Sequence, residues 1–418
     1  MKVCIHRGTQ EVGGTCIEVE SAGKRIVLDV GLPLNAESSI RHLPKVRGFR
    51  TSDSSLLAVL LSHPHQDHYG LAHFLSPDIR IIMGAAGARM LKAAALFTPS
   101  GATFNRLTGI EDRKPLVVGP FTITPYLNDH SAYDAYSLLV AADGERLFYS
   151  GDFRGHGRKG ALFERFLEHP PSDVDVLLME GTTIGRSASE GKSKTEQELE
   201  QSFIEHIEGT KGMVLVWTSG QNIDRLVTIF KACRKAGRQL ILDLYTAEIL
   251  RATGNLKLPQ ATWNGVKVFL PASQKRQIKK MRRYDIVNRY ADSRIYPEAL
   301  ADEAARSVML FRPSMTKELE RAECIEGSRV VYSLWSGYLK QEKQQPFLEW
   351  LTRHGIPLAH CHTSGHASPE DLRRFAKTVA PRMLVPIHSF EGRRFKDYFD
   401  HVEVKQDGQW WEVPRVGD

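Results

Sequence analysis

Short apolar runs of strand length alternate with amphipathic stretches along almost the whole chain. The apolar runs are typical of buried strands, and the stretches with helical spacing predict helices. The first part is dense in strands, whereas residues 195–345 alternate helices and strands as βαβ units do. The strand-like runs include residues 23–30, 56–62, 79–83, 115–127, 136–142, 146–150, 174–180, 213–217, 239–243, 330–335 and 382–388, and the helix-like stretches include residues 84–97, 195–208, 222–237 and 369–379.

Helix N-terminal capping patterns and one polar segment indicate how these elements are grouped into domains. Thr195 and Glu198 form the pattern of a capping box, and Ser368 stands before a proline and an acid, which is typical of an N-cap. Residues 182–195 are rich in Gly, Ser and Lys and are the best candidate for a domain junction. Because metal-type motifs return after the middle region, we predict that the chain leaves a first domain, builds a second and then completes the first. The predicted parts are residues 1–190, 191–345 and 346–418.

The composition predicts a globular protein of two domains. The chain has 418 residues, more than one core usually supports, and its apolar stretches are far shorter than the roughly 20 residues of a membrane span. The start has no apolar signal region, and five scattered cysteines form no CxxC pair. A reduced, cytoplasmic protein without a membrane partner is the simplest interpretation.

An excess of basic residues favours a polyanionic partner. The formal net charge is +7 and the pI is about 9.0. The densest basic run is SQKRQIKKMRRY (273–284), in which Arg276, Lys279, Lys280 and Arg283 share a broad face at helical spacing. Taken alone, this run fits a solvated helix surface slightly better than a binding site.

The most informative polar positions follow directly after an apolar strand. LLSHPHQDHYG (60–70) supplies His63, His65, Asp67 and His68, each a good ligand for zinc or a similar divalent metal. His63 and His65 can point the same way by the period of two, and the next pair falls where the chain can turn towards a helix. This spacing suggests two neighbouring metal positions, and the complete pattern argues against a polar loop with chance histidines.

Two metals need more ligands than these four, and three further strand ends offer them. His130, Asp152 and His388 each follow an apolar run. Each is a weak signal by itself, but together they bring the set to five histidines and two aspartates, enough for a dinuclear centre. Asp29, in LDVGLP, ends another strand, and we interpret it as a carboxylate that orients one of the ligands.

The order of these motifs resembles that of a known fold. LDVG, HPHQDH, NDHSAYDAY and YSGDF are similar to motifs one to four of the metallo-β-lactamase fold, an αββα sandwich with metals at one edge of its sheets. MEGTT (179–183), HTSGHAS (362–368) and VPIHSF (385–390) resemble motifs A, B and C of the β-CASP nucleases, which include ribonuclease J. The resemblance implies an α/β protein, a metallo-β-lactamase αββα sandwich with an inserted β-CASP α/β domain.

The resemblance also implies a role for each candidate residue. The first zinc ion is held by His63, His65 and His130, the second by Asp67, His68 and His388, and Asp152 bridges the two. His366 is the general acid, with Glu180 holding its tautomer, and Asp67 serves catalysis as a ligand rather than as a free base. Ser364 and Gly365 can present hydroxyl and N–H groups to a substrate phosphate, whereas His362 binds phosphate or caps a turn.

The implied function is a zinc-dependent ribonuclease that hydrolyses RNA phosphodiester bonds by a metal-bridged hydroxide, with manganese as the alternative metal. Single-stranded RNA is the expected partner. DNA is the alternative, although family members that act on DNA often have valine where this chain has His388. A small-molecule hydrolase would not need a second domain, and a metal-free scaffold would have lost ligands. Exonuclease and endonuclease stay open.

One departure from the family pattern concerns assembly. Bacterial ribonuclease J usually carries a further C-terminal domain that assists dimerisation, and this chain ends about 30 residues after His388. We therefore expect a ribonuclease J-like enzyme without that domain, for which a homodimer is an open alternative.

Overall fold

The protein is described by a computed structural model that covers residues 1–185 and 193–414. Residues 186–192 of the predicted junction lie outside the described residues. The chain divides into two compact units, the first made of Met1–Lys92, Ala102–Ser193 and Gly365–Asp418, and the second of Ala93–Gly101 and Lys194–Ser364. Residues 346–364, which we grouped with the returning part of the first domain, thus lie in the second unit, as do residues 93–101.

Strands dominate the first unit, and strands and helices alternate in the second. The described strands are β1 (Lys2–Arg7), β2 (Cys16–Ser21), β3 (Lys24–Leu28), β4 (Leu56–Leu60), β5 (Ile81–Gly84), β6 (Leu107–Ile110), β7 (Leu116–Val118), β8 (Phe121–Leu127), β9 (Tyr136–Ala142), β10 (Glu145–Tyr149), β11 (Val176–Glu180), β12 (Val214–Trp217), β13 (Gln239–Asp243), β14 (Val266–Phe269), β15 (Ser307–Leu310), β16 (Arg329–Tyr332), β17 (Leu358–His360), β18 (Met383–Ile387) and β19 (Trp410–Glu412).

The helices lie mostly between strands that run parallel. They are α1 (Gln66–Tyr69), α2 (Ala85–Ala94), α3 (Gly160–Glu168), α4 (Glu196–Glu208), α5 (Ile223–Lys235), α6 (Leu244–Ala252), α7 (Ala272–Met281), α8 (Tyr284–Asn288), α9 (Leu300–Glu303), α10 (Thr316–Arg321), α11 (Gln345–Arg353) and α12 (Pro369–Val379). Within the described residues, none of them is both long enough and apolar enough to cross a membrane.

The first unit is an αββα sandwich, as predicted. One sheet has seven strands in the order β19-β1-β2-β3-β4-β5-β6, and the other has six in the order β18-β11-β10-β9-β8-β7. Side chains such as Ile26, Leu138 and Leu178 belong to a single core cluster drawn from both sheets. Leu91 of α2 packs with the seven-stranded sheet, and Phe375 of α12 packs with the six-stranded one.

The sequence of β11 explains how a strand of this sandwich is specified. Val176 and Leu178 join the core shared by the two sheets, whereas Leu177 and Met179 join the core under α3 and α12. A strand buried on both faces must be apolar throughout, because successive side chains point to opposite faces. The polar residue that follows, Glu180, therefore marks the end of the strand and lies at the edge of the sheet.

The second unit is built around a parallel sheet in the order β14-β13-β15-β12-β16-β17. Its core includes Leu215, Ile241, Leu319 and Trp350. Helix α4 begins with the predicted capping box: the Thr195 side chain accepts from the Glu198 N–H at 3.1 Å, and the Glu198 carboxylate accepts from the Thr195 N–H at 2.6 Å.

Candidate metal centre

The seven predicted metal ligands come together at one edge of the first unit. His63 and His65 follow β4, Asp67 and His68 lie on the short helix α1, and the others follow β8, β10 and β18. The structure contains two groups of potential ligands whose donor atoms lie within 4.8 Å of one another. One group consists of His63, His65 and His130, and the other consists of Asp67, His68, Asp152 and His388.

Asp152 connects the two groups. One of its carboxylate oxygens lies 3.2 Å from His68 Nε2 and 3.7 Å from His63 Nε2, and the other lies 3.7 Å from His388 Nδ1. His388 Nε2 in turn lies 3.3 Å from an Asp67 oxygen, and His130 Nε2 lies 3.2 Å from His65 Nδ1. The two groups of potential ligands are thus adjacent, and Asp152 lies close to both; the division into two metal positions stays a prediction.

Unusual backbone conformations place two of these polar side chains. Asp29 follows β3 at φ +59°, and His388 follows β18 at φ +49°. Residues other than glycine adopt such values seldom, and they are concentrated at functional sites, where the surrounding structure holds them. Gly31 is required for a different reason, since a Cβ there would lie 1.8 Å from the Asp67 carbonyl oxygen. The loop after β3 thus packs directly against the backbone that carries the ligands.

Asp29 holds His68 in a defined orientation. Its carboxylate is fully buried and accepts from His68 Nδ1 at 2.7 Å, from the Ser62 N–H and hydroxyl at 2.7 Å each, and from the Tyr149 hydroxyl at 2.5 Å. A proton fixed on Nδ1 leaves Nε2 of His68 as the nitrogen that faces Asp152. The contact is one that an orienting carboxylate would make, and the orienting role of Asp29 stays a prediction.

The chemistry of these groups fits divalent metal ions. Within the described residues, His63 Nε2 and Asp152 Oδ1 are buried and make no hydrogen bond, and His63 Nε2 lies 3.7 Å from the other Asp152 oxygen. Buried polar atoms are almost always satisfied, so orphaned nitrogen and oxygen atoms beside one another indicate a missing partner. Imidazole and carboxylate are ligands for zinc and for related transition metals.

The electrostatics of the two groups differ. Burial and neighbouring histidines lower the pKa of His63 and of His130 well below the ordinary value, and burial lowers the pKa of His65 to about 4. These rings are therefore neutral at neutral pH, which is the form that binds metal. Burial also acts to lower the pKa of His68, but Asp152 and Asp29 outweigh it and raise the pKa overall.

His366 and Glu180 form a pair beside the bridging aspartate. His366 Nδ1 lies 3.1 and 3.3 Å from the two Glu180 oxygens and 3.6 Å from Asp152. Glu180 is buried and also accepts from the backbone N–H groups of Phe153 and Thr182, at 3.3 Å each. Burial lowers the pKa of His366, but Glu180 and Asp152 raise it to about 9 overall. Asp152, Glu180, His366 and His388 also form a third group of potential ligands.

The predicted phosphate-binding residues are divided between the two units. His362 and Ser364 lie in the second unit, whereas Gly365 begins the last segment of the first. A Cβ at position 365 would lie 2.6 Å from Ser131 Oγ, so that glycine allows this loop to pass beside the chain that carries His130. Burial and the nearby Arg225 lower the pKa of His362 to about 3, so that it can meet a phosphate only as a neutral donor.

Several polar partners of the site were not predicted. Ser62 and Tyr149 bond to Asp29, Thr182 Oγ1 lies 3.0 Å from His388 Nδ1, and Lys159 donates to the His130 carbonyl oxygen at 2.9 Å. Ser62 and Thr182 lie inside motifs that were recognised in the sequence, so these two residues could have been predicted to lie at the site. Tyr149 ends an apolar strand and is indistinguishable there from a core aromatic residue.

The fold and the clustered ligands define a metallo-β-lactamase-fold protein, and comparison with known proteins agrees. Residues 24–210 match a family model described as a β-lactamase superfamily domain. The chain is also similar to ribonuclease J from Sinorhizobium meliloti, with 24% identity over 83% of this chain and 60% of that protein. For ribonuclease J from Helicobacter pylori, the identity is 21% over 91% of this chain and 55% of that protein.

These relatives confirm the resemblance to ribonuclease J, while this chain spans only about 55 to 60% of the length of these two relatives. A crystal structure of a protein of unknown function from Enterococcus faecalis V583 has a similar fold. Its TM-score is 0.80 at 22% identity, and the match covers 98% of this chain and 99% of that one. Another protein therefore shares this fold over almost its whole solved length.

Proposed function

We propose that the protein is a metal-dependent ribonuclease that hydrolyses phosphodiester bonds of single-stranded RNA. The observation that carries the proposal is the His366–Glu180 pair beside Asp152, at the edge where seven metal-type ligands meet. A small-molecule hydrolase needs the ligands but has no evident use for a histidine paired with a buried glutamate next to them. The names of the ribonuclease J relatives support RNA as the substrate.

In this proposal, His63, His65 and His130 hold one metal ion, and Asp67, His68 and His388 hold the other, with Asp152 shared. Zinc suits these ligands best, and manganese is the alternative. Divalent ions bound there supply Lewis-acid chemistry, because they acidify water and neutralise the charge that builds on phosphate oxygens. Asp29 keeps His68 in the tautomer that can bind metal.

His366 is proposed to donate a proton to the leaving oxygen. With Nδ1 held by Glu180, proton transfer falls to Nε2, and the buried carboxylate stabilises the charged ring before it donates. Gly365 and Ser364 precede this histidine in HTSGH, and we propose that they contact the substrate phosphate, together with His362. Asp67 contributes to catalysis as a metal ligand. A cytoplasmic location stays a prediction.

His366→Ala tests the proposal. The variant should keep its metal content, because the seven proposed ligands remain, and should lose about 10²- to 10⁴-fold in the rate of RNA cleavage, which is the usual contribution of a general acid. His73→Ala is the matched control, since His73 is exposed and lies in the same unit. Cleavage at the wild-type rate would exclude the proton-donor role, and loss of a metal ion would assign His366 to the ligands.

A further inference from the structure

Four exposed cations on helix α7 have no ion-pair partner among the described residues. Lys275, Arg276, Lys279 and Lys280 are all exposed, and within the described residues none of them takes part in an ion pair. The opposite face of the helix is buried through Gln274 and Ile278. We call these four side chains the α7 cationic face. Of the residues in the predicted basic face, Arg283 lies outside it, because its guanidinium bonds to both Asp285 oxygens at 2.8 and 2.9 Å.

Part of the α7 cationic face is unfavourable for the helix itself, although Lys279 and Lys280 lie in the last turn, where the helix dipole favours cations. Lys275 lies in the first turn, which has no acid of its own and is capped by Glu318, whose carboxylate accepts from the Ala272 N–H at 2.8 Å. Lys275 and Lys279 are four residues apart, as are Arg276 and Lys280, so both pairs place like charges next to each other. Helices α4 and α12 have two acids each in their first turns. Like charges at this spacing do not stabilise the helix, so their arrangement indicates a function other than folding.

The face also accounts for much of the charge of the chain. There are 56 basic and 49 acidic residues, so without these four cations the formal net charge would fall from +7 to +3. An aromatic side chain lies close by in the sequence: Tyr284 begins α8 three residues after the end of α7 and is 53% exposed. Unpaired cations bind phosphates, and exposed aromatic rings stack on unpaired bases.

We propose that the α7 cationic face binds the phosphate backbone of single-stranded RNA, with Tyr284 stacking on a base. This inference rests on the proposed function, because RNA is the polyanion on which the proposed activity would act. A membrane surface fits less well, since insertion needs an exposed apolar face and the apolar side of α7 is buried.

The test compares two quadruple variants of the full chain. Lys275→Gln, Arg276→Gln, Lys279→Gln and Lys280→Gln together remove the α7 cationic face. The matched control is Lys231→Gln, Arg234→Gln, Lys257→Gln and Lys317→Gln, which removes the same charge and the same residue types at exposed positions of the same unit. Binding of a phosphorothioate-linked single-stranded 20-nucleotide RNA is measured by fluorescence anisotropy from low to high salt, and vesicles containing phosphatidylglycerol are the competing probe.

The α7 variant should bind the RNA at least tenfold more weakly at low salt. Each lost phosphate contact lowers the slope of log Kd against log salt by about 0.7, so the slope should fall by up to about 3, while the control stays within about twofold of wild type. Equal affinity and slope in both variants would overturn the proposal, as would wild-type binding to the vesicles but not to RNA.

Hydrolysis of bis(p-nitrophenyl) phosphate separates this proposal from the proposed function. This small diester is too short to reach along a helix, so both variants should hydrolyse it as wild type does. If wild type fails to hydrolyse both this diester and RNA, the proposed function is wrong, and the anisotropy comparison still decides whether the α7 cationic face binds RNA.

Discussion

Replacing Asp29 by Asn tests how the metal centre is held in place. Asn is close to Asp in shape and tolerates the left-handed backbone conformation, so the φ of +59° at this position should be kept. The change removes one negative charge from a carboxylate that accepts four hydrogen bonds. It therefore weakens the contact that orients His68 by removing the charge, and the amide NH2 group also loses the hydrogen bond from the Ser62 N–H.

The expected loss of metal affinity follows from the four hydrogen bonds that the Asp29 carboxylate accepts. Oδ2 accepts from His68, from the Ser62 hydroxyl and from Tyr149, whereas Oδ1 accepts only from the Ser62 N–H. The amide nitrogen of Asn should thus replace Oδ1, and His68 would donate to a neutral oxygen instead of a carboxylate. Charge-assisted hydrogen bonds are about twice as strong as neutral ones, and partners of this kind are worth about 10- to 100-fold in metal affinity. We expect a loss within that range, about 1.4 to 2.7 kcal/mol.

Chelator competition with the purified protein measures this change, together with the metal content per chain after dialysis. Asp134→Asn is the matched control, because Asp134 also has a positive φ (+65°) and accepts from a backbone N–H and from the Tyr136 hydroxyl, but bonds to none of the proposed ligands. Wild-type metal affinity in Asp29→Asn would refute the orienting role, as would an equal loss in the control.

Two further predictions concern the stability of the second unit. Arg225 and Glu196 form a buried ion pair at 2.9 Å, so Arg225→Met should lower the free energy of unfolding in urea by about 3 to 5 kcal/mol. Adding Glu196→Gln to this variant should recover part of the loss, because the unpaired buried charge is then removed. An unchanged urea midpoint in the single variant would contradict this. Burial raises the pKa of Asp243, but Arg312 and Thr246 outweigh it and lower the pKa overall. The ionised Asp243 therefore stabilises the folded protein fully above the pKa of an unfolded aspartate, about 3.9, and this stabilisation is lost as the pH falls through the folded pKa. The stability difference between wild type and Asp243→Asn should accordingly shrink below about pH 4 in unfolding experiments from pH 3 to 7, and a difference independent of pH would show that the charge is not responsible.

Residues with a local signal were predicted well. The ligands follow apolar strands in a fixed order, so that β4, β8, β10 and β18 and the side chains after them could be placed from the sequence. The capping box of α4 is equally local, since both partners lie within four residues. The run 115–127 was read as one strand, but it forms β7 and β8, because the chain turns back at Gly119 with φ +59°.

Contacts between distant parts of the chain were harder to predict. Tyr149 reaches Asp29 across 120 residues, and nothing in the strand RLFYS distinguishes this ring from one that only fills the core. The boundary of the second unit was placed too early because β17 has only three residues and lacks a buried one. The predicted alternation of polar and apolar positions needs a longer strand to become visible.

Cleavage of matched RNA and DNA strands by the purified chain is the decisive test of the proposed metal-dependent ribonuclease activity. Single-stranded 20-nucleotide substrates of the same sequence would be incubated with the protein as purified, after chelation, and after zinc or manganese is restored. We expect RNA to be cleaved in preference to DNA, chelation to abolish cleavage and added metal to restore it. Cleavage that survives complete removal of metal, or hydrolysis of DNA in preference to RNA, would contradict the proposed activity.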